Sequence, residues 1–163
     1  MTISLKHMGR RTGAVLVSLL LLLMLAVSAS AAAVKMTVGV RFWRESGDKE
    51  SMADSAVDTT REATLTRQPN GTFTLELPVK QLSSMNMTGR LTGIAIGEVN
   101  YDGTLSGDLS DGTAVLTLKN LPASVLTGSD SNKALAVTCS IKMDTILLGD
   151  ISTSAKMSIW VER

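Results

Sequence analysis

From residue 34 onward the chain alternates apolar and polar side chains with a period of two, and this decides what it can become. Met36, Val38, Val40 and Phe42 fall on one side of a first segment. Phe73, Leu75, Leu77 and Val79 oppose Thr72, Thr74, Glu76 and Pro78 in another. Leu135, Val137, Cys139, Ile141 and Met143 form the longest series, and Met157, Ile159 and Val161 the last, with Trp160 turned the other way. Shorter runs lie near residues 61–67, 89–98 and 113–119. Successive side chains of a strand point to opposite faces, so this period predicts half-buried strands, and no helical period competes with it beyond residue 34. Asn70-Gly71 between two such runs is a hairpin signal, because both turn positions tolerate positive φ. Asp102-Gly103 and Asp111-Gly112 read as turns too, and Pro78, lacking a donor, ends its strand or lies at an edge. The pattern predicts an all-β fold: a single immunoglobulin-like antiparallel β-sandwich of seven to eight strands over residues 34–163, with no internal repeat.

Residues 1–33 are of another kind. Lys6, Arg10 and Arg11 precede an apolar run from Ala14 to Val27, and small residues from Ser28 to Ala33 follow. That order predicts a signal peptide cleaved near residue 31 or 33, and hence an extracytoplasmic, secreted or surface protein. Residues 12–34 carry no charge, so an uncleaved membrane anchor is the competing reading. The leader takes three of the sixteen basic residues and none of the fifteen acidic ones. What remains is slightly acidic, which argues against nucleic acid or an anionic membrane surface as partner.

Two scarcities limit the chemistry. The single histidine, His7, lies in the leader, and Cys139 is the single cysteine. Without an imidazole neither a Ser-His-Asp nor a Cys-His nucleophile can be assembled, and zinc sites of histidine and cysteine are excluded as well. The expectation is a protein that is not an enzyme and that has no internal disulfide to supplement its core.

The polar connection Gly47–Asp58 carries a single methionine, Met52. Ser51 followed three residues later by Asp54 has the spacing of a capping box, so a short helical lip is expected near residues 51–56. Asp102, Asp108, Asp111 and Asp130 could offer oxygens to calcium, but their spacing is not that of an EF-hand loop and turns use the same residues. Cys139 and the in-phase Met36 and Met157 read as core. Met85 and Met87 share a face if their segment is extended. Met143 ends the longest apolar series, just before a hairpin-like connection whose Ile146, Leu147 and Leu148 stand where polar residues are expected. An apolar tip of this kind marks an association edge or one wall of a pocket.

The order of segments resembles the NEAT (near iron transporter) domain of Gram-positive surface proteins, an immunoglobulin-like fold that binds heme. The likeness rests on Ser51-Met52 as the Ser-Met pair of a 3₁₀ lip, on the hairpin Asn70-Gly-Thr-Phe-Thr-Leu-Glu-Leu77, and on Leu135–Trp160 as the family's last hairpin. The chain departs from the family in having no tyrosine in residues 150–163, where heme-binding members usually carry a Tyr-x-x-x-Tyr motif. A related streptococcal surface heme protein ligates iron through two methionines instead, and thioether sulfur is a soft ligand suited to heme iron.

The resemblance implies an extracytoplasmic heme-binding module for heme capture or relay. In it Met52 and Met143 would be iron ligands, Ser51 a hydrogen-bond donor to a propionate, and Ile146, Leu147 and Leu148 a cover over the porphyrin. Its partners would be heme and a hemoprotein or another surface heme-relay protein. The alternative is a cofactor-free immunoglobulin-like protein-interaction module that uses the same apolar tip.

Overall fold

The structure, a computed structural model, describes residues 33–84, 87–144 and 149–162. The expected leader therefore lies outside the described residues, as do Met85, Ile146, Leu147 and Leu148. Among the described residues ten strands occur in chain order: β1 (Val34–Arg44), β2 (Ala63–Arg67), β3 (Phe73–Pro78), β4 (Leu82–Ser84), β5 (Met87–Ile96), β6 (Val99–Asp102), β7 (Thr104–Ser106), β8 (Val115–Leu121), β9 (Leu135–Met143) and β10 (Asp150–Val161). Two short 3₁₀ turns, Met52–Ala56 and Ala123–Val125, are the only helical elements among the described residues.

All strand pairs are antiparallel, and they join in one sheet of order β4-β5-β9-β10-β1-β2-β3-β8-β7, with β6 also on β5. The sheet curls on itself around one apolar core, giving the all-β, immunoglobulin-like sandwich. β6 lies on β5 and β7 on β8, so the single stretch 99–106 passes from one end of the curled sheet to the other. Gly103 sits at the crossing. Its N–H donates to the Thr92 carbonyl at 2.8 Å. A β-carbon there would stand 2.3 Å from Leu116 Cδ1 and 2.9 Å from the Thr92 carbonyl oxygen, so a side chain would require both the Leu116 packing and the backbone to shift.

The strand count therefore corrects the expected seven to eight. Asp102-Gly103, read as a turn, joins two short strands with different partners, β6 and β7. The Asn70-Gly71 hairpin is present: β2 pairs β3, Gly71 has φ 83°, and Asn70 Oδ1 accepts from Thr72 N at 3.0 Å. β3 ends at Pro78, as its missing donor requires.

The core is drawn from the alternating faces. Phe42, Leu65, Leu75, Leu77, Leu116, Leu118, Ile141, Met157 and Ile159 are all essentially without solvent contact. Each buried aliphatic side chain of this size contributes about 1.5–3 kcal/mol relative to exposure. Cys139 lies in this core, and burial pushes its thiol up to about 12, so it is an inert packing residue. Val161, in phase with Met157 and Ile159, is exposed because β10 has reached its end there.

Candidate ligand site at the lip and the last hairpin

After β1 the chain turns back through residues 45–50, and Trp43 and Glu50 form an isolated antiparallel bridge. Ser51 N then donates to the Phe42 carbonyl at 2.8 Å, and the 3₁₀ lip Met52–Ala56 follows. Its backbone bonds run from Asp54 N to Ser51 O at 3.1 Å and from Val57 N to Asp54 O at 2.9 Å. At its far end Lys80 N donates to Ala56 O at 2.9 Å, and Val57 bridges Val79. Ala53 and Ala56 point into the core, so the lip closes one end of the curled sheet. Met52 begins this turn and is 37% exposed. The lip holds it at the surface in a fixed direction.

The expected capping box does not form. Ser51 is the N-cap by backbone position, yet its side chain caps nothing. Its Oγ is buried and has no hydrogen-bond partner. Asp54 does not reach back to the Ser51 amide. Its Oδ1 accepts from Phe42 N at 2.7 Å and its Oδ2 from Arg41 at 3.3 Å. Arg41 also pairs with Glu50. The carboxylate ties the lip sideways to β1 because Phe42 N–H, past the end of the β1–β2 ladder, needs an acceptor. Burial raises the Asp54 carboxyl above its ordinary 3.8, against the lowering pull of the Phe42 N–H and the Arg41 guanidinium.

Met143 comes to the same end of the molecule. The lip packs on β1, β4 and β5, and the β5 residue Gly89 pairs with both Leu82 of β4 and Met143 of β9. The side chain of Met143, however, belongs to the core: it is 7% exposed, and its Sδ lies 2.9 Å from where a β-carbon on Gly89 would stand. Its side chain is occupied in packing, whereas that of Met52 is partly exposed. The base of the hairpin beyond Met143 is pinned. Met143 N donates to Gly149 O at 3.2 Å, Asp144 N to Thr88 O at 2.9 Å, and Arg90 lies 3.5 Å from the Asp144 carboxylate.

β10 leaves this hairpin with Asp150–Ser154 paired only to β9, because the β1 register stops at Arg44 opposite Ala155. The face turned away from the core carries Ser152, Ser154, Lys156, Ser158 and Trp160. Trp43 Nε1 donates to Ser158 Oγ at 3.0 Å across this face. No phenolate is available on β10, and the thioether of Met52 is the soft donor that the lip exposes.

Other features are structural in kind. Asp108 and Asp111 accept from Ser110 and Thr113 two residues on, so they hold turns. No group of three or more His, Cys, Asp or Glu residues could hold a metal ion among the described residues. A cleft of about 240 Å3 is lined by Gly39, Asp58, Arg61 and Trp160 among others, and Arg61 anchors its own segment to a neighbouring turn. Its guanidinium donates to the carbonyls of Gly112, Thr113 and Ala114. Sequence reasoning missed the Asp54–Phe42–Arg41 linkage. An acid among the small residues of 51–56 was its signal, read instead as local capping.

The fold defines the chain as an immunoglobulin-like antiparallel β-sandwich with a short 3₁₀ lip. No protein-family profile and no curated protein matches it. Among solved structures it is similar to a mutant of IsdX2-NEAT5 in complex with heme, with a TM-score of 0.50 and 9% sequence identity, covering 80% of this chain and 98% of that one. At this identity the likeness is one of fold.

Proposed function

We propose that this chain is an extracytoplasmic heme-binding module, with the ligand seated between the 3₁₀ lip and the β9–β10 hairpin. The observation that carries this reading is the buried, unpartnered Oγ of Ser51 immediately before the exposed thioether of Met52. A buried hydroxyl without a partner is costly, about 1–3 kcal/mol, and a ligand acceptor at the lip would recover it. The architecture shared with a heme-bound NEAT5 domain supports the same reading.

The residues present fit such a group in part. Ser51 Oγ, once uncovered, would donate to a propionate, and the Met52 sulfur would offer the iron a soft ligand. Met143 stands behind the site, and becomes a second ligand only by drawing its sulfur out of the core. Ile146, Leu147 and Leu148, which lie outside the described residues, would cover the porphyrin in this reading. When bound, the heme supplies the iron centre, and the chain supplies a dry, oriented seat for capture from a hemoprotein or relay to another surface protein. Export through the leader at residues 1–33 belongs to the same reading, and so does the absence of enzymatic activity. Among the described residues no helix is long and apolar enough to cross a membrane.

The test is hemin titration of the purified domain followed by visible absorption, with Met52→Ala and Ser51→Ala beside the wild type. The reading predicts a shifted Soret band for the wild type and an altered band for Met52→Ala. A second reading, a cofactor-free interaction module, is favoured by the tyrosine-free face of β10. In that case the wild type gives only the spectrum of free hemin.

A further inference from the structure

Met52 opens a 3₁₀ turn of five residues, with Ser51 just before it, and such a turn is too short to hold itself in place. One side chain connects this turn to the body of the sheet from within. Asp54 is 6% exposed, and its two oxygens reach Phe42 N at 2.7 Å and Arg41 at 3.3 Å. Phe42 is itself fully buried, so its N–H has no water to turn to if the carboxylate leaves. Its carbonyl accepts from Ser51 N at 2.8 Å, so one residue of β1 grips the lip by both its donor and its acceptor. Arg41 is joined in turn to Glu50, on the chain entering the lip. The two connections bracket the Ser51-Met52 pair.

We propose that Asp54 is the positioning residue of the ligand site, a latch that fixes Ser51 and Met52 in their binding geometry before any ligand arrives. The proposal rests on the heme-binding reading for its functional consequence, and on Phe42, Arg41 and Ser51 for its structural one. A preformed lip avoids the ordering cost that a loose one meets on binding, and that cost appears chiefly in the dissociation rate. The essential element is an acceptor for the Phe42 amide, since Arg41 is about one-third exposed and retains Glu50 without Asp54.

The acceptor requirement gives a discriminating pair of variants. Asp54→Ala removes the acceptor, and Asp54→Asn replaces it with an amide oxygen of the same reach. Amide hydrogen exchange on the full chain without ligand reads the latch directly. Asp54→Ala should raise exchange at the amides of residues 54 and 57 by about tenfold or more, with the amides of β5 and β9 unchanged. Asp54→Asn should restore most of the protection. In hemin dissociation, Asp54→Ala should release about tenfold faster, and Asp54→Asn should stay within a fewfold of the wild type. If Asp54→Ala does not fold, Asp54→Ser, whose hydroxyl is too short to reach Phe42 N, gives the same comparison. Unchanged lip exchange in Asp54→Ala or Asp54→Ser overturns the latch, and so does an Asp54→Asn variant as loose as Asp54→Ala. Failure of the wild type to take up hemin overturns the heme-binding reading and leaves the exchange result to decide the latch.

Discussion

Two methionines drawn from one expectation occupy opposite environments, and the difference can be measured. Met52 is 37% exposed on the lip and Met143 is 7% exposed over Gly89. Met143→Ala should therefore destabilise the fold by about 2–5 kcal/mol in denaturant melts, as for other buried methionines truncated to alanine. Met52→Ala should stay within about 0.5 kcal/mol of the wild type while changing the hemin spectrum. Equal losses would mean that the two side chains share one environment. Asp54 makes a second prediction at this scale. Its carboxyl is raised by burial, so the folded state holds this proton more tightly than the unfolded chain, in which the value is near 3.8. The stability it contributes is complete below that value and is lost as pH rises through the higher folded value. Asp58 and Glu76 act with the opposite sign: hydrogen bonds from Thr60 and Thr64 lower them, so their stabilisation is lost as pH falls. The difference between wild type and Asp54→Asn isolates the first effect. Urea melts from about pH 3.5 to about pH 7 should show the wild type losing ground to the variant as pH rises. A difference that runs the other way contradicts the burial of the carboxylate.

Alternating strands were legible in the sequence because a half-buried strand writes its face into every second residue. Phe73, Leu75 and Leu77 are buried with Thr74 and Glu76 half-exposed between them, and Val137, Cys139 and Ile141 repeat the pattern. Phe73→Ala should cost about 3–5 kcal/mol and Thr74→Ala well under 1, and equal losses in melts would mean that the faces are reversed. Elements defined by partner choice were not legible. β6 and β7 present mostly exposed residues, so they lack the alternating signature, and Asp102-Gly103 carries turn chemistry at the junction of two strands. The lip, expected near residues 51–56, runs over Met52–Ala56, but its stabilising contacts differ from those expected. A local capping box competes with a long-range bond, and only the folded chain reveals that Phe42 N needs the Asp54 carboxylate more. In the candidate site, Ser51 and Met52 were readable as a pair, whereas the burial of Met143 depends on its pairing with Gly89, which has no side chain to fill the space beneath the sulfur.

The curled sheet depends on one crossing and presents its candidate site at one end. Gly103 lets residues 99–106 pass from β5 to β8, and a β-carbon there meets Leu116 at 2.3 Å. Gly103→Val should cost several kcal/mol, of the order of overpacking a core, about 1–3 or more. A variant as stable as the wild type would show that the sheet does not close at this point. The lip, β4, the start of β5 and the end of β9 meet at the candidate-site end, where the β10 edge is free of β1. The likeness to a heme-bound NEAT5 domain is one of architecture, at 9% identity. The central claim concerns what this end holds, and hemin titration of the purified domain reads it most directly. The account predicts saturable uptake by the wild type, with a shifted Soret band that changes in Met52→Ala and persists in Met36→Ala. A wild type whose added hemin keeps the spectrum of the free compound at every ratio would contradict it.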